Sequence, residues 1–257
     1  MRLGRIYGPD GICFVSIEGN GENAVCKEIA EHPFSRIRFT KKNWKLLEVK
    51  LLAPVLASKV ICISNNYEAH SLEMSKNISK EPIIFLKPNT SIIGPNMPIK
   101  LPHDALNVQH EGELAIVIGQ LCKNVSSELA IQSILGYTIA NDLSARDQQN
   151  KDGQWTRAKS HDTFCPVGPW ILTELDTSDL EIRTEVNNEV RQLSWTSMAL
   201  HNIGSIIEWV SKIVTLLPGD LILTGTPGGV GSIEDGDTVS ININTIGTLQ
   251  NAVIREK

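Results

Sequence analysis

Apolar and polar positions alternate along this chain in short runs, and the alternation breaks wherever glycine, proline or asparagine clusters. Leu3 to Tyr7, Ile12 to Ile17 and Ala24 to Ile29 read as strands, bounded by Gly8-Pro9-Asp10-Gly11 and Gly19-Asn20-Gly21. A segment of this size buries little core alone, so residues 1–50 are expected to form a small β-rich N-terminal subdomain leaning on residues 51–257. Beyond it, Val60 to Ser64 reads as a strand that leads through Asn65-Asn66 into a helix over Tyr67 to Ile78. Ile83 to Leu86 and Leu114 to Ile118 read as strands, and a helix over Glu128 to Leu135 precedes a strand over Gly136 to Ala140.

Glu181 to Val186 and Val190 to Leu193 flank Asn187-Asn188-Glu189, the pattern of a hairpin whose turn residues tolerate positive φ. Ile203, Ile206, Ile207, Val210, Ile213 and Val214 then form one apolar stripe at helical spacing. Pro218-Gly219-Asp220 closes that element, and Leu221 to Leu223, Thr238 to Asn244 and Leu249 to Ile254 return to strand character. Strands dominate without a regular βαβ alternation, which predicts an α+β fold rather than a doubly wound parallel sheet.

Composition narrows the function. Among 257 residues, 41% are hydrophobic, and 24 Lys+Arg against 29 Asp+Glu leave a formal net charge of −5. No apolar run approaches the roughly 18 residues of a membrane-spanning helix, and Arg2 and Arg5 lead into Gly8-Pro9-Asp10 rather than an apolar signal core, so a cytosolic protein is expected. The acidic balance disfavours nucleic acid, and Lys41, Lys42 and Lys45 around Trp44 read as a solvated turn. Five cysteines without a C-x-x-C pair suggest neither a disulfide framework nor a thiolate zinc site.

The chemistry concentrates in four places. In His110-Glu111-Gly112-Glu113, strand parity turns both carboxylates to one side, and Asp142 follows the strand at Gly136 to Ala140. Three oxygen ligands suit a hard cation such as Mg²⁺ or Mn²⁺; a solvated edge strand is the alternative. His70 and Glu73, spaced i, i+3, suit a carboxylate-oriented base, or a surface histidine beside an incidental acid. Lys159, between Ala158 and Ser160 and near Trp155, suits either a buried cation facing an enolate or a stem packed on Trp155 with its ammonium in water. The loop Thr224 to Gly231 has no following Gly-Lys-Ser/Thr or helix, so its N–H groups and the Thr226 hydroxyl are expected to grip a small carboxylate rather than a nucleotide.

His-Glu-Gly-Glu-Leu at 110–114, Asn-Asp-Leu-Ser-Ala-Arg-Asp at 141–147, Ala-Lys-Ser-His-Asp-Thr-Phe at 158–164 and Leu-Thr-Gly-Thr-Pro-Gly-Gly-Val-Gly at 223–231 together resemble the fumarylacetoacetate hydrolase family. Asn-Tyr-Glu-Ala-His-Ser-Leu-Glu-Met at 66–74 is similar to the family's dyad-bearing helix. The resemblance implies a mixed β-sheet roll, usually homodimeric, in which Glu111, Glu113 and Asp142 bind Mg²⁺ or Mn²⁺. It implies that His70 and Glu73 form an acid–base dyad on a mobile lid, that Lys159 faces a developing enolate, and that Arg146, Gln149 and Thr226 orient the substrate. Two positions depart from the pattern: His161 stands where phenylalanine is more usual, and Ser64-Asn65 where a glycine often precedes Asn-Tyr.

By the same resemblance, the expected activity is metal-assisted chemistry on a small 2-oxo acid: hydrolysis of an acylpyruvate C–C bond, or decarboxylation of an oxaloacetate-type substrate. Isomerisation of the 2-hydroxyhepta-2,4-diene-1,7-dioate type and a sugar-acid or ureide lyase are alternatives, with a catalytically silent binding protein outside the enzymes. Specificity is expected from loops such as Ser75 to Glu81 and Gln148 to Gln154.

Overall fold

The computed structural model of the chain describes residues 1–74 and 79–256. The N-terminal strands are β1 (Arg2–Gly8), β2 (Gly11–Glu18), β3 (Val25–Ile29), β4 (Phe39–Lys45) and β5 (Lys50–Leu52). β6 (Val60–Ser64), helix α1 (Glu68–Glu73), β7 (Ile83–Lys87), β8 (Ile92–Ile93) and β9 (Ile99–Leu101) follow. Next come β10 (Val108–His110), β11 (Gly112–Ile118), α2 (Ser127–Ala130), β12 (Ile134–Asn141) and β13 (Ser144–Ala145). Two short helices, α3 (Arg146–Asp152) and α4 (Thr156–Ser160), lead to β14 (Cys165–Leu172). The hairpin of β15 (Glu181–Val186) and β16 (Glu189–Trp195) precedes α5 (Ile203–Ile213) and β17 (Leu221–Leu223). β18 (Gly231–Ser232), β19 (Thr238–Ile243) and β20 (Gly247–Arg255) complete the chain.

These strands form three sheets, an α+β architecture. Twelve strands make the largest, with the path β4-β3-β2-β1-β14-β12-β11-β17-β6-β7 and with β5 and β8 attached to β1 and β14. Five make a second sheet, β16-β15-β19-β20-β9, and three a small one, β13-β10-β18. β11 lies near the middle of the large sheet and is buried along its whole length, which is why its sequence is a continuous apolar run rather than an alternating one. Leu114, Ile116 and Ile118 enter the core shared with the five-stranded sheet, while Ala115 and Val117 enter a second core on the opposite face.

Local chemistry explains several elements. Asn187 and Asn188 hold φ of 54° and 67° at the β15–β16 turn, the left-handed pair that a tight hairpin requires. Asn202 caps α5 by accepting the Ser205 N–H at 2.9 Å, and the buried stripe of that helix includes Ile206, Ile207 and Val210.

The structure corrects two details. The helix expected over Glu128 to Leu135 is shorter: α2 passes into one 3-10 turn at Ile131–Ser133, and Ile134 pairs with Ile118 in the large sheet. Lys41, Lys42 and Lys45 lie on a strand, β4, where Trp44 pairs with Cys26 and Lys42 meets Asp10 at 2.9 Å. Residues 1–50 have a small core of their own around Ile6, Val15, Ile17, Ala24 and Cys26, yet they do not form a separate sheet. β1 pairs with β14, so the N-terminal strands extend the large sheet. Of the helix expected over Tyr67 to Ile78, the structure shows Glu68–Glu73, and residues 75–78 lie outside the described residues. No described helix is long and apolar enough to cross a membrane.

Candidate metal and acid–base site

The chain changes sheets twice at one place. It leaves the small sheet at His110 and enters the large one at Gly112; it leaves the large one at Asn141 and re-enters the small one at Ser144. Glu111 and Asp142 occupy these two crossings. The crossings are tied together, since the Asp142 N–H donates to the Glu111 carbonyl at 2.9 Å and the Glu111 N–H to Asn141 Oδ1 at 2.9 Å. Glu113 follows on β11. Gly112 between the two glutamates admits the five-stranded sheet: a Cβ there would stand 2.2 Å from Thr184 Oγ1 on β15.

Each carboxylate is held by at least one oxygen. Asp142 Oδ1 accepts from Lys87 Nζ at 2.6 Å. Glu111 Oε1 pairs with the Arg146 guanidinium and lies 3.2 Å from Ser144 Oγ. Glu113 Oε2 accepts the Gly225 N–H at 2.6 Å, and Gly225 holds a φ of 98°, which favours glycine. One ligand oxygen from each of the three residues lies within 4.8 Å of the other two. Lys159 Nζ bridges Glu111 Oε2 at 2.7 Å and Asp142 Oδ2 at 2.8 Å. Glu113 has no ion pair among the described residues. Burial is the main cause that raises its pKa well above the usual carboxylate range, with the Asp142 and Glu111 charges adding to it. For Glu111 burial acts upward too, but Arg146 and Lys159 outweigh it and hold the pKa low. Burial pulls Lys159 down while Asp142 and Glu111 lift it, and the net shift is upward.

The donor set is therefore three buried carboxylates, all oxygen, with like charge crowded and no ion pair on Glu113 among the described residues. This fits a hard divalent cation such as Mg²⁺ or Mn²⁺, and a chain without such a partner has little reason to bury Glu113 uncompensated.

The other expected residues gather around the same cleft, which Glu111, Glu113 and Asp142 share with His70, Arg146, Gln149, Lys159 and Thr226. Lys159 is 3% exposed, so the reading with its ammonium in water does not hold. Its Nζ also lies 4.9 Å from the centre of the Phe85 ring. His70 Nδ1 stands 3.6 Å from Glu73 Oε2, an ion-pair rather than a hydrogen-bond distance. Burial lowers the His70 pKa more than Glu111 raises it. Glu73 is fixed from behind by the Gly229 N–H at 3.1 Å. Arg146 also bonds Gln109 Oε1 at 2.8 Å and Gln149 Oε1 at 2.9 Å.

The loop at 224–231 does grip carboxylates, and they are the protein's own: Gly225 holds Glu113 and Gly229 holds Glu73. Thr226 Oγ1 donates to the Gly112 carbonyl at 3.0 Å and accepts from Gln192 Nε2 at 2.8 Å. Asn65 takes a φ of 57°, a left-handed conformation that asparagine tolerates. His161 bonds Gln148 Oε1 at 2.7 Å and packs edge-on against Phe164.

Two residues of the site escaped the sequence reading. Lys87 follows an apolar run and precedes Pro88, which reads as an exposed strand end, yet it is 1% exposed. Gln192 is fully buried on β16 and fills all four of its hydrogen bonds. Its Oε1 accepts from the Gly112 N–H at 3.0 Å and His110 Nδ1 at 3.2 Å, and its Nε2 donates to Thr226 and to the Pro227 carbonyl, both at 2.8 Å. Its inward parity opposite Thr184 on β15 was a readable signal.

Known proteins resemble this chain along its length. The fumarylacetoacetate (FAA) hydrolase C-terminal family model matches residues 59–254, and a Rv2993c-like N-terminal model matches residues 1–54. The chain belongs to the fumarylacetoacetate hydrolase family. It is 62% identical to Protein Rv2993c of Mycobacterium tuberculosis, over 100% of this chain and 99% of that protein. A crystal structure described as 5-carboxymethyl-2-hydroxymuconate delta-isomerase from Mycobacterium smegmatis superposes with a TM-score of 0.95 at 65% identity, covering 100% of both chains. Oxaloacetate tautomerase fahd2, mitochondrial, of Xenopus laevis is 44% identical over 80% of this chain and 69% of that protein.

Proposed function

We propose that this protein is a divalent-cation-dependent enzyme that acts on small 2-oxo acids through their enolates, with acylpyruvate hydrolysis as its leading reaction. The observation that carries the reading is the meeting, in one cleft, of three pinned carboxylates, the buried Lys159 ammonium and the His70 imidazole. Glu111, Glu113 and Asp142 would hold Mg²⁺ or Mn²⁺, which supplies Lewis acidity toward the carboxylate and 2-oxo oxygens of the substrate. Lys159 places a second positive charge beside the oxygen on which the enolate charge develops. Arg146 and Gln149, already bonded to each other, orient the substrate's carboxylate.

Burial keeps the His70 imidazole unprotonated at neutral pH, so it can accept a proton from water. Hydroxide then adds to the distal carbonyl, the bond to C3 breaks, and its electron pair remains on the pyruvate fragment as the enolate. Protonation at C3 gives pyruvate, and the other fragment leaves as a carboxylic acid. With oxaloacetate the same electron sink receives the pair released with CO₂.

A second reading needs no water: proton transfer alone, as keto–enol or double-bond isomerisation. The names of the Mycobacterium smegmatis and Xenopus laevis proteins favour it. A panel of acylpyruvates, oxaloacetate and 2-hydroxymuconate-type dienes, assayed with Mg²⁺, Mn²⁺ and chelator, separates the readings by scoring pyruvate release, CO₂ loss and ultraviolet isomerisation signals independently. No metal-dependent turnover on any of them would sink the proposal.

A further inference from the structure

Lys87 is the residue whose chemistry the fold has gone furthest to bury without an assigned role. It ends β7, the last strand on the path through the large sheet, and its side chain crosses into the carboxylate cluster. The ammonium donates to Asp142 Oδ1 at 2.6 Å and to the Leu143 carbonyl at 3.1 Å, and the side chain is 0% exposed. Asp142 thus carries a cation on each oxygen, Lys87 on Oδ1 and Lys159 on Oδ2. A buried cation that served only to hold Asp142 in place would be a costly clip, because a neutral donor could make the same bond without losing a charge's hydration.

Charge balance gives it a further use. With all three carboxylates ionised, Glu111, Glu113 and Asp142 contribute −3, and the buried cations bonded to them, Lys87, Lys159 and Arg146, contribute +3. In that fully ionised state the cluster is neutral, and a divalent ion would make it +2. The enolate of a 2-oxo acid carries two negative charges at its reacting end, one on the carboxylate and one on the enolate oxygen. Without Lys87 the loaded cluster would be +1. We propose that Lys87 is a positioning residue that sets this charge: it weakens the hold of the cluster on the metal and strengthens the hold of the loaded cluster on a dianion. This inference rests on the enolate reading above.

The two effects have opposite signs, which separates them from damage to the fold. Lys87→Met and Lys87→Gln are compared with the wild type, and Lys59→Met, whose partner is Asp220, serves as a remote control. Mn²⁺ affinity is measured by calorimetry without substrate. Affinity of the Mn²⁺-loaded protein for oxalate, a planar dianion shaped like the head of a pyruvate enolate, is measured next. Both Lys87 variants should bind Mn²⁺ at least threefold more tightly and oxalate at least tenfold more weakly, while Lys59→Met leaves both unchanged. Lys87→Gln keeps a hydrogen bond to Asp142 without the charge, so it remains readable if Lys87→Met fails to fold. Weaker Mn²⁺ binding in a folded variant assigns Lys87 a structural role and overturns the inference, as does unchanged oxalate affinity or a wild type that binds no Mn²⁺. Neither readout involves turnover. A wild type that binds both ligands yet turns over no 2-oxo acid removes the proposed reaction and leaves the Lys87 comparison intact.

Discussion

Replacing Gln192 with methionine keeps the length of the side chain and deletes its amide. Three buried groups lose their partner: the Gly112 N–H, His110 Nδ1 and the Pro227 carbonyl. Thr226 Oγ1 loses a donor but still donates to Gly112, so it is left out of the sum. An unsatisfied buried polar group costs about 1–3 kcal/mol. Taking 1–2 kcal/mol for each of the three gives a loss of about 3–6 kcal/mol, a large part of the roughly 5–15 kcal/mol by which domains are stable. At about 2–4 °C per kcal/mol for a chain approaching this size, the melting temperature should fall by roughly 6–24 °C. Urea unfolding at constant pH reads the free energy directly, and an unchanged m-value certifies that the native surface is intact. The same substitution loosens the loop that presents the Gly225 N–H to Glu113, so Mn²⁺ affinity should weaken in parallel. A stability loss below about 1 kcal/mol with an unchanged m-value would mean that these groups find other partners, and the view of Gln192 as the clip between β11 and the glycine-rich loop would be wrong.

Glu113→Gln should abolish the thermal upshift that Mn²⁺ gives the wild type, which at 100 times the Kd amounts to about 2.7 kcal/mol, or roughly 5–10 °C in differential scanning fluorimetry. The same variant reports on pH. A raised native pKa contributes stability that is fully present below the unfolded value near 4.5 and is lost as pH rises through the native value. The unfolding free energy of metal-free wild type minus that of Glu113→Gln should therefore fall between pH 5 and pH 8, and a flat difference refutes the assigned shift. His70→Ala should lower acylpyruvate hydrolysis by about 10²–10⁴-fold while leaving Mn²⁺ affinity within a few-fold, and undiminished hydrolysis removes His70 from the mechanism. Gly112→Ala drives a methyl into Thr184 Oγ1 at 2.2 Å and should cost about 1–3 kcal/mol or more in urea unfolding. Adding Thr184→Ala should recover most of that loss, and no recovery would locate the strain elsewhere.

The sequence carried much of this site because its signals are local. Strand parity brought Glu111 and Glu113 to one side, and helical spacing put His70 within reach of Glu73. Glu111 nonetheless lies on the crossing between β10 and β11 rather than within a strand, and its direction comes from the bonds to Asn141 and Asp142. Lys87 was illegible because nothing in Phe-Leu-Lys-Pro reveals a carboxylate 55 residues away. The glycine-rich loop was expected to grip a small carboxylate with its N–H groups and Thr226, whereas its N–H groups hold the protein's own Glu113 and Glu73, a pairing set by long-range folding. Helix α2 was misjudged at its end for the same reason, because pairing of Ile134 with Ile118 outweighs the helical tendency of Ile131 to Leu135.

The placement of the ligands at crossings between sheets bears on how such a site tolerates its own charge. Within a strand, a carboxylate faces a flat neighbouring surface, and its backbone amides are consumed by the ladder. At a crossing the backbone turns, so Glu111 and Asp142 can be bonded to each other's segments while their side chains point inward together. The surrounding sheets then supply donors from separate directions: Lys87 from the last strand of the large sheet, Arg146 from the helix after the small one, and Gly225 from the loop after β17. Each of these donors holds one oxygen, and Lys159 bridges the remaining oxygens of Glu111 and Asp142. In that geometry Lys159 already bridges two of the oxygens that would hold a divalent ion, Glu111 Oε2 and Asp142 Oδ2. Metal binding would therefore compete with this ammonium for the carboxylates, so the charge that stabilises the metal-free cluster also sets how readily the site would load.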